Sequence, residues 1–201
     1  MPDQELKRKI RQEELNAMVA VLQHQMCISK LQKRNYLVDF LSIAVPVFYI
    51  FPRFLIKGVE WEILGFVLED IVNTTGEILS ALLLVMVIFK LVYRWQDSEV
   101  QHWAMITKNR SISLEANQLL TNRRTSGDVV EQFLRRVSEI DTDDDKLLIS
   151  ITKKQEQQTY REALKKLDGE AARCRVCGAN PWRFKEGDCD ACGGSLWNRY
   201  H

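Results

Sequence analysis

Histidine is scarce in this chain of 201 residues: His24, His102 and His201 are the whole complement, and they lie in separate regions. No histidine-based metal hydrolase motif can be drawn from them. Glycine is scarce as well, with nine residues, four of them between Gly178 and Gly194. There is no glycine-rich loop of the kind that cradles a phosphate, and no nucleophile elbow. These absences point away from an enzyme. A strong charge of either sign is also missing. The 28 Lys and Arg balance 27 Asp and Glu to a net +1, so no bulk basicity argues for nucleic acid. The first thirty residues lack the apolar stretch of a cleavable signal peptide.

What the chain does have is two long apolar runs, Tyr36 to Ile56 and Ile78 to Trp95. At about 1.5 Å per helical residue each covers roughly 27 to 32 Å, close to the hydrocarbon thickness of a bilayer. Only a helix carries an isolated run of that length across lipid with its backbone satisfied. Such helices can also form the buried core of a soluble domain. Asp39, Pro46, Pro52 and Arg53 weaken the first run, and Lys90 interrupts the second. Asp39, Arg53 and Lys90 lie near run ends, however, where charges reach the interface by snorkelling. Tyr36, Tyr49, Phe51, Tyr93 and Trp95 also fall towards the ends, as interfacial aromatics do. The second run is apolar on every face from Ile78 to Phe89, which one-sided burial does not require. The reading favoured is a transmembrane helical hairpin. The mean hydropathy of −0.22 excludes a polytopic protein but allows two spans with soluble flanks.

Charge sets the orientation. Residues 1–35 carry seven Lys or Arg and four acids, whereas residues 57–77 carry one Lys and five acids. The positive-inside rule puts both termini in the cytoplasm and the connector outside. Lys30, Lys33 and Arg34, just before the first run, serve as topological anchors at the anionic leaflet. Antiparallel spans would place Asp39 and Lys90 at similar depth, where they could pair.

The flanks read as helices. Pro2 and Asp3 suit a helix start. Leu15, Met18, Leu22 and Met26 share one face, with His24 and Cys27 on or beside it as packing residues. Pro46 is expected to kink the first span. The patch Ile63–Leu68 is either a short interfacial helix or an outward extension of the second span. Residues 96–121 hold no Gly or Pro and continue the second span into the cytoplasm, where they pack on the N-terminal helix. Their expected face runs through Val100, Trp103, Ile106 and Arg110, then Ile112, Ala116 and Leu119. Val130, Phe133, Leu134 and Val137 mark a further amphipathic helix. Asp141 to Asp145 reads as a polar loop capping the next one. A last helix, with Tyr160, Ala163, Leu164 and Leu167 on one side, ends at Asp168-Gly169.

The sharpest motif is C-terminal. Cys174-x2-Cys177-Gly178 and Cys189-x2-Cys192-Gly193 are two copies of one unit, with eleven residues between them. Each is a tight turn that presents two thiolates to one metal, and the glycine after the second Cys permits a positive φ. Together they supply the four soft ligands of a structural Zn2+ site. Four thiolates also suit an iron site. The 28 residues from Cys174 to His201 are too few for a core without a staple. Trp182, Phe184, Trp197 and Tyr200 are the expected packing residues. Arg173, Arg175, Arg183 and Lys185 either contact nucleic acid or offset the charge of the thiolates.

This spacing, near the end of a chain of this length, resembles the mobilome CxxCx(11)CxxC family, which occurs on mobile elements and defence islands of bacteria. Residues from Glu5 to about Leu120, including Trp95-Gln-Asp-Ser-Glu-Val-Gln-His102-Trp, resemble the SLATT module: an N-terminal helix, two transmembrane helices and a long cytosolic helix. That resemblance implies a membrane effector of a prokaryotic antiviral system of the abortive-infection type. Pore formation in the bacterial inner membrane is its implied action. An activating protein or nucleotide-signalling partner would trigger it, and homo-oligomers are required because two spans cannot enclose a channel. The alternative is a membrane-anchored zinc-ribbon adaptor that recruits a protein or nucleic acid without forming a pore. The expected architecture is mainly α: an N-terminal amphipathic helix (1–35), a two-helix transmembrane hairpin (36–95), long cytoplasmic helices (96–168) and a small C-terminal zinc ribbon (169–201).

Overall fold

The computed structural model describes residues 4–56, 62–63, 66–122 and 126–195, with side chains everywhere in these segments outside 52–71. The proposed helix start at Pro2 and Asp3, the side chains of Pro52 and Arg53, and Trp197, Tyr200 and His201 lie outside the described residues. The chain is mainly α. Its helices are α1 (Gln4–Ile56), α2 (Leu68–Val92), α3 (Trp95–Thr121), α4 (Gly127–Leu147) and α5 (Lys153–Asp168). Two compact units are formed, residues 1–28 with 100–201 and residues 29–99.

In the first unit the start of α1 is buried on two sides. Ile10 and Ala17 join Met105, Ile112, Ala116 and Leu119 of α3 and Val130, Phe133, Val137 and Ile140 of α4. Leu15, with Met18 and Leu22 beside it, faces Ala163 and Leu164 of α5 and the cysteines beyond. The expected packing of α3 on the N-terminal helix is therefore present, and Ile106, Ile112, Ala116 and Leu119 are buried as expected, but the first turns bury a different face. Val100 and Trp103 are exposed, while His102, Met105 and Asn109 are buried beside Ile106 and Ile112. Two polar residues on the inward stripe hide its periodicity from a hydropathy reading.

α4 starts after Ser126, whose backbone is extended. Its buried residues Val130, Phe133, Val137, Ile140 and Asp144 recur every three or four positions, which is one helical face. Asp141 to Asp145 is thus not a capping loop. It forms the last turns of α4, because Asp144 continues the buried face and finds polar partners there. The cap of α5 is Thr152 instead. Its hydroxyl accepts from the Gln155 N–H, and the Gln155 side chain accepts from the Thr152 N–H. α5 ends as its sequence predicts, at Asp168, followed by Gly169 with φ 56°.

The second unit pairs the latter part of α1 with α2. Asp39 and Lys90 form the expected ion pair at 2.6 Å, and the ring of Tyr49 lies against Gly76. These contacts, 39 with 90 and 49 with 76, make the two helices antiparallel. α1 continues through Pro46, whose missing N–H costs one backbone bond without ending the helix. The patch before α2 is not helical throughout: Glu62–Ile63 pairs antiparallel with Phe66–Val67, and α2 begins at Leu68. α2 and α3 are also not one rod. A turn at Tyr93 and Arg94, where Arg94 takes φ 46°, separates them. Both long apolar stretches hold a window long and apolar enough to cross a membrane, and only 11% and 6% of those windows is buried within the chain.

Candidate metal centre

Two turns of equal geometry build the site. In the first, Gly178 N–H donates to Cys174 O at 2.8 Å and Cys174 N–H to Ala179 O at 2.9 Å. In the second, Gly193 N–H donates to Cys189 O at 2.7 Å and Cys189 N–H to Gly194 O at 3.3 Å. The expected positive φ occurs at both glycines, 76° at Gly178 and 66° at Gly193. A side chain there would be strained. The sharp reversal frees the Gly194 N–H to donate to Cys192 Sγ at 3.3 Å. An antiparallel bridge between Glu186 and Gly194 returns the chain to the site.

All four cysteines are buried, and their Sγ atoms lie within 4.8 Å of one another. Cys174 and Cys189 are 3.9 Å apart at sulfur, Cys177 and Cys192 3.5 Å. Four sulfurs at about 2.3 Å from a tetrahedral zinc stand about 3.8 Å apart, so the cluster fits such an ion. Both separations are far beyond the roughly 2.05 Å of a disulfide, and none of the four is in one. Burial pushes the thiols of Cys177 and Cys192 up. Burial acts the same way on Cys189, but the Cys192 N–H and the sulfurs of Cys177 and Cys192 pull it down to about 7. A bound cation would reverse the rise at Cys177 and Cys192 and hold all four as thiolates.

α5 braces the module. Gln157 Nε2 donates to the carbonyls of Cys189 and Asp190, both at 3.3 Å, and Arg161 donates to the Cys192 carbonyl. Lys153 pairs with Asp190 at 2.5 Å. Two of the basic residues near the motif have structural work: Arg175 donates to the Arg11 carbonyl of α1 at 2.6 Å, and Arg173 to the Ala172 carbonyl at 2.8 Å. Trp182 and Phe184 are not the interior packing residues that the sequence suggests. They are 55% and 41% exposed, and α5 covers one face of each with a cation, Lys165 over Trp182 and Arg161 over Phe184. The interior is instead the four sulfurs with Leu15, Ala163, Leu164, Ala172 and Ala179.

The family model described as Mobilome CxxCx(11)CxxC protein matches residues 7–195, taking in the cysteine spacing and nearly all of the helical chain before it. The chain belongs to this family. No curated protein and no solved structure matches it. In this member of the mobilome CxxCx(11)CxxC family the four cysteines form a cluster that could bind a metal such as zinc.

A second polar cluster escaped the sequence reading, which treated the histidines as unrelated. His24 Nδ1 and His102 Nδ1 are 2.7 Å apart. His24 Nε2 is 2.7 Å from Asp144 Oδ1, and Asn109 Nδ2 donates to Asp144 Oδ2 at 2.7 Å. His24, His102, Asn109 and Asp144 are all buried. The only sequence signal is the spacing: His102 and Asn109, seven apart, and Asp144, four after Ile140, stand where an apolar face should continue.

Proposed function

We propose that this protein is a membrane effector. The pair formed by α1 and α2 crosses the bilayer, both termini lie in the cytoplasm, and copies assemble to permeabilise the inner membrane on a trigger. The observation that carries this reading is the exposure of the apolar windows. Tyr36, Phe40, Ile43, Phe48, Leu84 and Leu91 are exposed on α1 and α2, whereas the core of a soluble bundle would bury them. Lipid is the solvent that such a surface fits. The resemblance of residues Glu5 to about Leu120 to SLATT modules supports the same reading and, with it, a role in prokaryotic antiviral defence. The cysteine module holds a structural zinc through Cys174, Cys177, Cys189 and Cys192, which staples the segment and displays it for a trigger or activating partner. No catalytic step is assigned to any residue.

One observation favours the adaptor reading. Val176, Trp182 and Phe184 are exposed on the cysteine module, a surface suited to a protein partner. Following a membrane-potential dye after induction separates the two. Depolarisation supports the effector; unchanged potential with a co-purified partner supports the adaptor. The Asp39–Lys90 pair refines the test. If it lines the conducting path, Lys90→Leu and Asp39→Asn change toxicity or ion selectivity without affecting insertion. Parent-like depolarisation by both variants removes the pair from the path.

A further inference from the structure

The buried chain His102–His24–Asp144–Asn109 ties α1, α3 and α4 together, and its geometry fixes where its protons sit. Asn109 Nδ2 donates to Asp144 Oδ2, leaving Oδ1 to accept from His24 Nε2. With both rings neutral, His24 Nδ1 is then a lone pair, so His102 Nδ1 must donate to it across 2.7 Å. One more proton fits. It binds His24 Nδ1 beside the carboxylate, and His102 changes tautomer to accept from it. A second added proton does not fit. It sets N–H against N–H at that distance and places two cations beside one carboxylate, where His24 is 0% and His102 6% exposed. The contacts of His24 use its two opposite nitrogens, so the groups form a line and do not converge on a point where a metal could sit.

We propose that His24, His102 and Asp144 form a proton-sensitive latch that clamps α1 to α3 and α4 and lets go on acidification. The latch does not depend on the membrane reading, because it lies wholly within the unit of residues 1–28 and 100–201. The titratable groups acting on His102 are His24 from α1 and Asp144 from α4. On α4 the carboxylates of Asp141 and Asp145 adjoin Asp144, and Glu13 of α1 acts on Asp141. Burial and then His24 depress the proton affinity of His102 below its ordinary 6.5, with Asp144 opposing them. The folded unit therefore favours neutral His102. Its stabilisation is complete above 6.5 and is lost as pH falls through the depressed value. Asp141 works in the opposite sense. Burial, then Glu13, Asp144 and Asp145, push its carboxyl up to about 6, so the folded unit gains from its protonation. The two effects need separating by variants.

The test is hydrogen exchange of the metal-loaded full chain carrying Asp141→Asn, which removes the opposing titration, in lipid nanodiscs at about pH 7.5 and 5.5, corrected for intrinsic exchange rates. The expected result is a drop in protection in peptides from 10–28, 100–112 and 137–147, of at most about tenfold, because one site that titrates at 6.5 when unfolded can contribute no more between these pH values. Protection in 153–168 should hold. His102→Phe, or His102→Gln, which keeps a donor for His24 without titrating, should abolish the drop. In that background, equal protection at both pH values overturns the latch, and so does a drop of the same size in the His102 variants. If neither variant folds, a nitrogen-NMR titration of the parent's histidines decides. His102 should titrate below 6.5 and coupled to His24, and an independent titration near 6.5 overturns the proposal.

Discussion

At the scale of single residues, the chemistry concentrates in atoms whose partners are already placed. Purified protein should hold about one zinc per chain. Cys174→Ser or Cys189→Ser should lose the metal and open the C-terminal segment to protease, as elemental analysis and limited proteolysis will report. Unchanged metal content in both variants would contradict the four-thiolate site. Asp141 gives a pH-dependent counterpart. Its carboxyl is pushed up to about 6, so at pH 7.5 the folded state carries an unfavourable charge that the unfolded chain bears more easily. Asp141→Asn should raise the Tm at pH 7.5. The gain should shrink as pH falls through about 6 and vanish near 4, where the parent's own carboxyl is protonated. A gain independent of pH would mean that packing, not charge, separates the two proteins. The cysteine cluster was legible because its two turns demand a fixed spacing and a glycine at a fixed offset. The histidine–aspartate chain was not, because its members are 78 and 120 residues apart and only tertiary packing brings them together.

At the scale of elements, helix ends and helix contacts are the testable parts. Thr152→Ala removes one half of the capping box on α5 and should cost about 1 kcal/mol, read as a shifted denaturation midpoint. Between α1 and α2 the close approach is at Gly76, where an added Cβ would meet the Tyr49 ring 2.1 Å away. Gly76→Leu should destabilise the helix pair by about 1–3 kcal/mol. Adding Tyr49→Ala should restore much of it. If the second substitution makes no difference, the two positions do not touch. Sequence periodicity located α5 and the first turns of α4 well, since each buries one face, but it ended α4 too early, at Asp141. It misjudged the first turns of α3, whose inward face carries His102 and Asn109, and it saw only half of α1. Leu15, Met18 and Leu22 were visible as a stripe, but Ile10, Ala17 and Val21 form a second one. A helix buried on two sides has no single apolar face to find.

At the scale of the whole molecule, the sequence displayed the mainly α character, the two apolar helices and the C-terminal cysteine cluster. The packing of α3 on the N-terminal helix was legible too; that α4, α5 and the cysteine module join the same unit of residues 1–28 and 100–201 was not, because nothing in those stretches announces it. The central claim is that α1 and α2 cross a bilayer with their connection outside. The most direct test is Thr74→Cys, exposed near the start of α2, labelled with a membrane-impermeant maleimide in intact spheroplasts and again after lysis. The expected result is labelling of Thr74→Cys in intact spheroplasts, while the parent, whose cysteines all lie on the cytoplasmic side in this topology, stays unlabelled until lysis. Labelling of Thr74→Cys only after lysis, in a protein recovered without detergent, would contradict it.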